Sequence, residues 1–108
     1  MSHYLLIASR DPHTAASAGR CYELASALAG EGNDVTVYLV QNGVLPARES
    51  PASADLTALS RRGIRVLADD FSLRERGIAE TALAEGVAPA PIDAVIDALA
   101  SGARVLWH

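Results

Sequence analysis

Lysine is absent from this 108-residue chain; all nine of its cations are arginines. That absence removes the P-loop, whose Gly-Lys-Ser/Thr sets an ammonium against nucleotide phosphates. It also removes the phospho-receiver reading, which needs a lysine and an acidic pair after the first strand. The formal net charge is -4 and the arginines are scattered, so no basic face is collected for DNA or RNA. Cysteine occurs once, at Cys21. No disulfide can therefore close within the chain, and no cysteine-based metal site is expected. Aromatic residues make up only 5% of the sequence, which favours close helix packing on alanine over an aromatic-lined groove. The run Tyr4–Ala8 is too short for a signal-peptide core or a membrane span. A cytoplasmic protein with neither membrane nor nucleic acid as partner is expected.

Glycine-rich phosphate loops are missing as well. A dinucleotide site needs Gly-x-Gly-x-x-Gly after the first strand, where only glycine lets backbone approach a pyrophosphate. Here that turn reads Ser9-Arg10-Asp11-Pro12-His13-Thr14. Three scattered histidines, His3, His13 and His108, do not make a metal site. No cofactor and no metal ligand is assigned.

What is present is a core. Half of the residues are hydrophobic, enough for one domain spanning 1–108 without covalent staples. Tyr4–Ala8 reads as a strand buried on both faces. Thr14 is placed to cap a helix that runs to about Glu31, with Ala18, Cys21, Leu24, Ala25 and Leu28 turned toward the sheet. Val35–Val40, rich in β-branched residues, reads as the second strand, parallel to the first. Residues 44–52, with Pro46 and Pro51, read as an irregular loop, either a rim or subunit contact or a mere connection. A second helix, Ser53–Arg62, is expected to be capped by Ser53. Ile64–Ala68 is the third strand, and residues 79–85 form a weak helical turn. Ile92–Ala100 is a helix led by Pro91, with Ile92, Val95, Ile96 and Leu99 as its apolar stripe. Ala103–Trp107 is the last strand, and a short extra strand near Val87 is possible. The pattern is that of a small doubly wound α/β three-layer sandwich on a mainly parallel sheet of four to five strands.

In such sheets ligands sit at the carboxyl ends of the strands. The stretch Val66–Ile78 falls there, carrying Asp69, Asp70 and Ser72. Two adjacent carboxylates could raise one pKa and supply a base; as solvated loop residues they would simply cap the following helix. The helix start near Thr14 could hold an anion, with Arg10 or His13 assisting, or merely be capped. Cys21 sits mid-helix on an apolar stripe, where cysteine behaves as a small hydrophobe. Ser72 has no histidine near it in sequence, and an unassisted serine is inert. The candidate ligand- or partner-binding residues are therefore Asp69, Asp70, Ser72, Arg10, His13 and Asn42. None is assigned as catalytic.

Taken in order, Leu5-Leu6-Ile7, Ala25–Leu28 with Gly32, Val35–Leu39 with Asn42-Gly43-Val44, Arg76-Gly77-Ile78 and Ala103–Trp107 resemble the DsrE/DsrF/DsrH family. That family shares its fold with the TusB, TusC and TusD sulfur-relay subunits. The resemblance covers nearly the whole length and implies the DsrE-like α/β fold. It also implies self-association as a trimer or hexamer, or pairing with DsrE-like paralogues, in sulfur relay or intracellular sulfur oxidation. Sulfur-carrying members bear a persulfide-accepting cysteine in a stretch like Cys-x-x-Cys-Leu-x-x-Arg-Gly-Ile. Aligned on Leu73, Arg76, Gly77 and Ile78, those two positions are Asp69 and Ser72 here. The favoured expectation is a member without the carrier cysteine, acting as an assembly or partner-binding subunit. The alternatives are a small-molecule-binding protein or enzyme using the pocket around Asp69, Asp70 and Ser72, and a sulfur carrier using Cys21.

Overall fold

The structure, a computed structural model, describes residues 2–12 and 16–107. Its strands are β1 (His3–Ala8), β2 (Asp34–Leu39), β3 (Arg65–Asp69), β4 (Val87–Ala90) and β5 (Arg104–Trp107). Its helices are α1 (Ala16–Gly30), α2 (Ala54–Arg61), α3 (Asp70–Glu75) and α4 (Asp93–Ala100), with short 3-10 segments between them. All five strands are parallel, in the order β4-β3-β2-β1-β5. The α/β sandwich is as expected, and the short strand at Val87 is its fifth member.

Strand order dictates the layers. From β1 to β4 the chain steps one way across the sheet, so right-handed crossovers deposit α1 and α2 on one face. The return from β4 to β5 reverses direction and puts α4 by itself on the other face. The two cores follow this division. Leu6, Val37, Val66 and Ala68 pack with Cys21, Ala25, Leu56 and Leu59 in the larger one. Leu5, Ile7, Tyr38 and Val40 pack with Ala98 in the smaller one. Adjacent strand residues thus serve opposite faces, as the two-residue period of a strand requires.

Three expectations are corrected. The apolar stripe of α4, whose ordinary place is against the core, is mostly outward: Ile92, Ile96 and Leu99 are 53%, 58% and 58% exposed. Ala94, Val95 and Ala98 meet the sheet instead. The helix Asp-Ala-Val-Ile-Asp-Ala-Leu-Ala is apolar nearly all round, so periodicity does not choose its face, and small residues let it lie close. Residues 44–52 are not an irregular loop; a 3-10 helix spans Gln41–Ala47 and buries Gly43, Val44, Pro46 and Ala47. Ser53 does not cap α2 with its side chain; its hydroxyl closes a capping box with Ser50 around the turn before it. Thr14 and His13 lie outside the described residues, as does the side chain of Ala18. Among the described residues, no helix is long and apolar enough to cross a membrane.

Candidate functional site

Asp69 is the last residue of β3 and the N-cap of α3. A strand that runs directly into a helix leaves the first helical N–H groups without partners, and a carboxylate at the junction accepts them. Here Asp69 Oδ2 accepts the Ser72 backbone N–H at 3.1 Å and the Ser72 hydroxyl at 2.7 Å. Its other oxygen, Oδ1, accepts the Tyr38 phenol at 3.0 Å. That phenol also lies 3.1 Å from the Ala90 carbonyl, so one proton is shared between β3 and β4. Ser72 Oγ in turn accepts the Gln41 N–H at 2.8 Å. The chain β4–Tyr38–Asp69–Ser72–Gln41 is a continuous polar seam at the carboxyl end of the sheet.

The seam is dry. Asp69, Ser72 and Tyr38 are 8%, 3% and 0% exposed. Burial above all, then the hydrogen bond to Asp69 and its charge, holds the Tyr38 phenol protonated far above its ordinary range. Gln41 has a φ of 52°, and it is the non-glycine with positive φ among the described residues. An L-residue in that region is held at a cost of about 1 kcal/mol, and the bond to Ser72 is one of the contacts holding it. Around the rim, Arg76 donates from Nε at 3.2 Å and Nη2 at 3.1 Å to Asn42 Oδ1. Arg76 also donates to the Ser72 carbonyl at 3.3 Å, while Asp70 pairs with Arg74 at 3.9 Å one turn along α3.

The six candidates are thus only partly gathered. Asp69 and Ser72 are bonded directly, and Asn42 joins them through Arg76. Asp70 points to Arg74 instead of Asp69, so the two carboxylates do not share a task. Arg10 stands exposed in the turn after β1, and His13 lies outside the described residues. The Ser72–Asp69 spacing is that of a nucleophile and its base. A substrate would nevertheless have to displace the Gln41 N–H and open a buried pair to reach it. Tyr38 and Gln41 escaped the sequence reading. The legible signal was Tyr38 itself: a tyrosine inside an apolar strand needs a partner for its hydroxyl.

Cys21 is fully buried on the α1 side of the sheet, and burial pushes its thiol up to about 11. The thiolate is the reactive form, so Cys21 is poorly placed for nucleophilic or sulfur-carrying work. A pH prediction follows from the sign. The folded state holds the thiol's proton more tightly than the unfolded chain, whose thiol titrates near its ordinary value of 9.0. Stability from this group is whole below that value and is lost as pH rises toward 11. Urea melts across this range should show a shallower alkaline decline in Cys21→Ala than in the native protein. Equal slopes would refute the assignment.

A groove of about 470 Å³ runs between α1 and α2, lined among others by Tyr22, Glu23, Asp55 and Arg62. It lies outside the strand ends, and the Tyr22 hydroxyl beneath it finds no hydrogen-bond partner among the described residues.

Comparison with known proteins bears on this arrangement. A family model described as the DsrE/DsrF-like family matches residues 2–108. The YchN protein of E. coli has a solved structure that superposes with a TM-score of 0.90 at 20% identity, each chain covered to 100%. A protein of unknown function from Methanobacterium thermoautotrophicum, MTH1491, superposes at 0.80 with 21% identity, again over 100% of both chains. At these identities the likeness concerns the fold. A search of curated proteins gave no match.

Proposed function

The chain belongs to the DsrE/DsrF-like family, and from that premise we propose that it is a member without sulfur-carrying chemistry. Its role in this reading is that of an assembly or partner-binding subunit, linked to sulfur relay or sulfur metabolism in the cytoplasm. One observation carries the reading. The two positions that the resemblance sets against the carrier cysteines, Asp69 and Ser72, are bonded to each other at 2.7 Å and closed from solvent. Neither side chain can form an S–S bond, and both are tied into the fold. What such a scaffold still offers is surface, either to a second copy in a trimer or hexamer or to a DsrE-like paralogue.

Intact-mass spectrometry tests this directly. Native protein incubated with a persulfide donor should return at its starting mass, while the same protein unfolded in denaturant should gain sulfur at Cys21. Gain of a sulfur atom by the native protein would overturn the reading and favour carriage through Cys21. The pocket-enzyme alternative has the Ser72–Asp69 spacing in its favour, and the burial of both residues against it.

A further inference from the structure

The groove between α1 and α2, about 470 Å³ in volume, is of the size that holds a small molecule. Each of the two helices connects neighbouring parallel strands, so they lie side by side and run in the same sense. Gly19, Tyr22 and Glu23 line the groove from α1, and Asp55, Ala58 and Arg62 line it from α2. Each set falls on one stripe of its helix. Stripes that face each other across a helix pair are ordinarily filled by apolar side chains. Here they meet over small residues and charges.

Three features of the groove point to a ligand. The Tyr22 side chain is 8% exposed, and its hydroxyl finds no hydrogen-bond partner among the described residues. A buried hydroxyl in that condition is costly until something supplies the partner. Burial above all, then the charges of Cys21, Asp55 and Asp11, holds this phenol protonated far above its ordinary range. The α2 carboxylate therefore stands close to it. Next, Gly19 lies in the interior of α1, where glycine weakens a helix relative to alanine. A Cβ built on it meets nothing within 4 Å among the described residues, so packing within the protomer does not call for glycine there. Its effect is to keep the groove open beside Tyr22. Finally, Glu23, Asp55 and Arg62 make no ion pair among the described residues. Asp55 and Arg62 are about two turns apart on one wall, about 10 Å along the helix axis. The groove thus has an acidic end beside Tyr22 and a basic end at Arg62.

We propose that this groove binds a small zwitterion of the amino carboxylate class, its ammonium group held by Tyr22, Asp55 and Glu23 and its carboxylate by Arg62. An ammonium group carries three N–H donors, and the phenol oxygen and the two carboxylates are three acceptors for them. A guanidinium meets a carboxylate with two parallel N–H bonds. The groove lies on the helical face, apart from Asp69 and Ser72, and the inference stands independently of the assembly reading.

Isothermal titration calorimetry on the full chain tests it, with ε-aminohexanoate as probe and hexylamine and hexanoate as its single-charge counterparts. The zwitterion should bind at one site per chain, more tightly than either counterpart. Asp55→Asn and Gly19→Leu should each weaken it at least tenfold with native circular dichroism, since Asp55 is exposed and Gly19 faces open space. Tyr22→Phe should weaken binding about threefold or more while leaving Tm at or above the native value, because it removes a hydroxyl that the protomer itself does not use. Arg62→Ala should erase the preference for the zwitterion over hexylamine. Absence of binding at about 10 mM zwitterion, equal binding of all three probes, or native affinity in Asp55→Asn would each overturn the inference.

Discussion

Asp69→Ala should destabilise the domain by about 2–4 kcal/mol, lowering Tm by roughly 10–20 °C, as read by calorimetry or circular dichroism. The substitution removes the acceptor for three hydrogen bonds at once. Losing a helix cap alone costs about 1 kcal/mol. The larger part comes from what is left behind. The Ser72 hydroxyl and the Ser72 N–H remain buried without their acceptor, and each unsatisfied donor costs about 1–3 kcal/mol. Tyr38 suffers less, because its proton can turn fully to the Ala90 carbonyl at 3.1 Å. Asp69→Asn should fall between the two, since its single carbonyl oxygen can accept only part of what the carboxylate accepts. A stability within about 0.5 kcal/mol of native would mean the seam holds nothing together.

Gly43→Ala should also be costly, by about 3 kcal/mol, for a steric reason. Gly43 is the third residue of the 3-10 segment after β2 and lies against the end of β1. A Cβ built on it would collide with the Ala8 carbonyl oxygen, and would stand 2.9 Å from the Ala8 carbonyl carbon. Both are backbone atoms and neither can rotate away. The Ala8 carbonyl already accepts the Val40 N–H at 3.0 Å, and Val40 accepts the Gly43 N–H at 2.9 Å. Relieving the collision therefore pulls on the last rung between β1 and β2. A urea melt that places Gly43→Ala within about 1 kcal/mol of native would show that this junction yields more easily than its contacts indicate.

The fold was legible because its signals are local and redundant. Val-Thr-Val-Tyr-Leu-Val has no good reading except a buried strand, and the glycines at 32 and 63 mark helix ends with φ of 89° and 84°. Helix α4 was legible as a helix and misread as to face. Its composition is apolar on every side, and only the reversed crossover, a property of the whole topology, decides which residues meet the sheet. Residues 44–52 were misread for a different reason. Two prolines, Pro46 and Pro51, signal a break, yet each also suits the tight turns of a 3-10 helix. At the site, Asp69 and Ser72 were found from the strand end they occupy. Their partners were not, because Tyr38 and Gln41 come from another strand and its far end, 31 residues away in sequence. Side-chain bonds across that separation have no local signature. Asp70, adjacent in sequence, looked like a partner and is turned to Arg74.

The reading of position 69 as a brace in the fold, and not a reactive centre, is most directly tested by a double-mutant cycle on Asp69→Ala and Ser72→Ala. Unfolding free energies of the native protein, the two single variants and the double variant give the coupling between the two side chains. A charge-assisted bond of 2.7 Å in a closed site predicts a coupling of about 1–2 kcal/mol. Effects that simply add, to within about 0.5 kcal/mol, would contradict it.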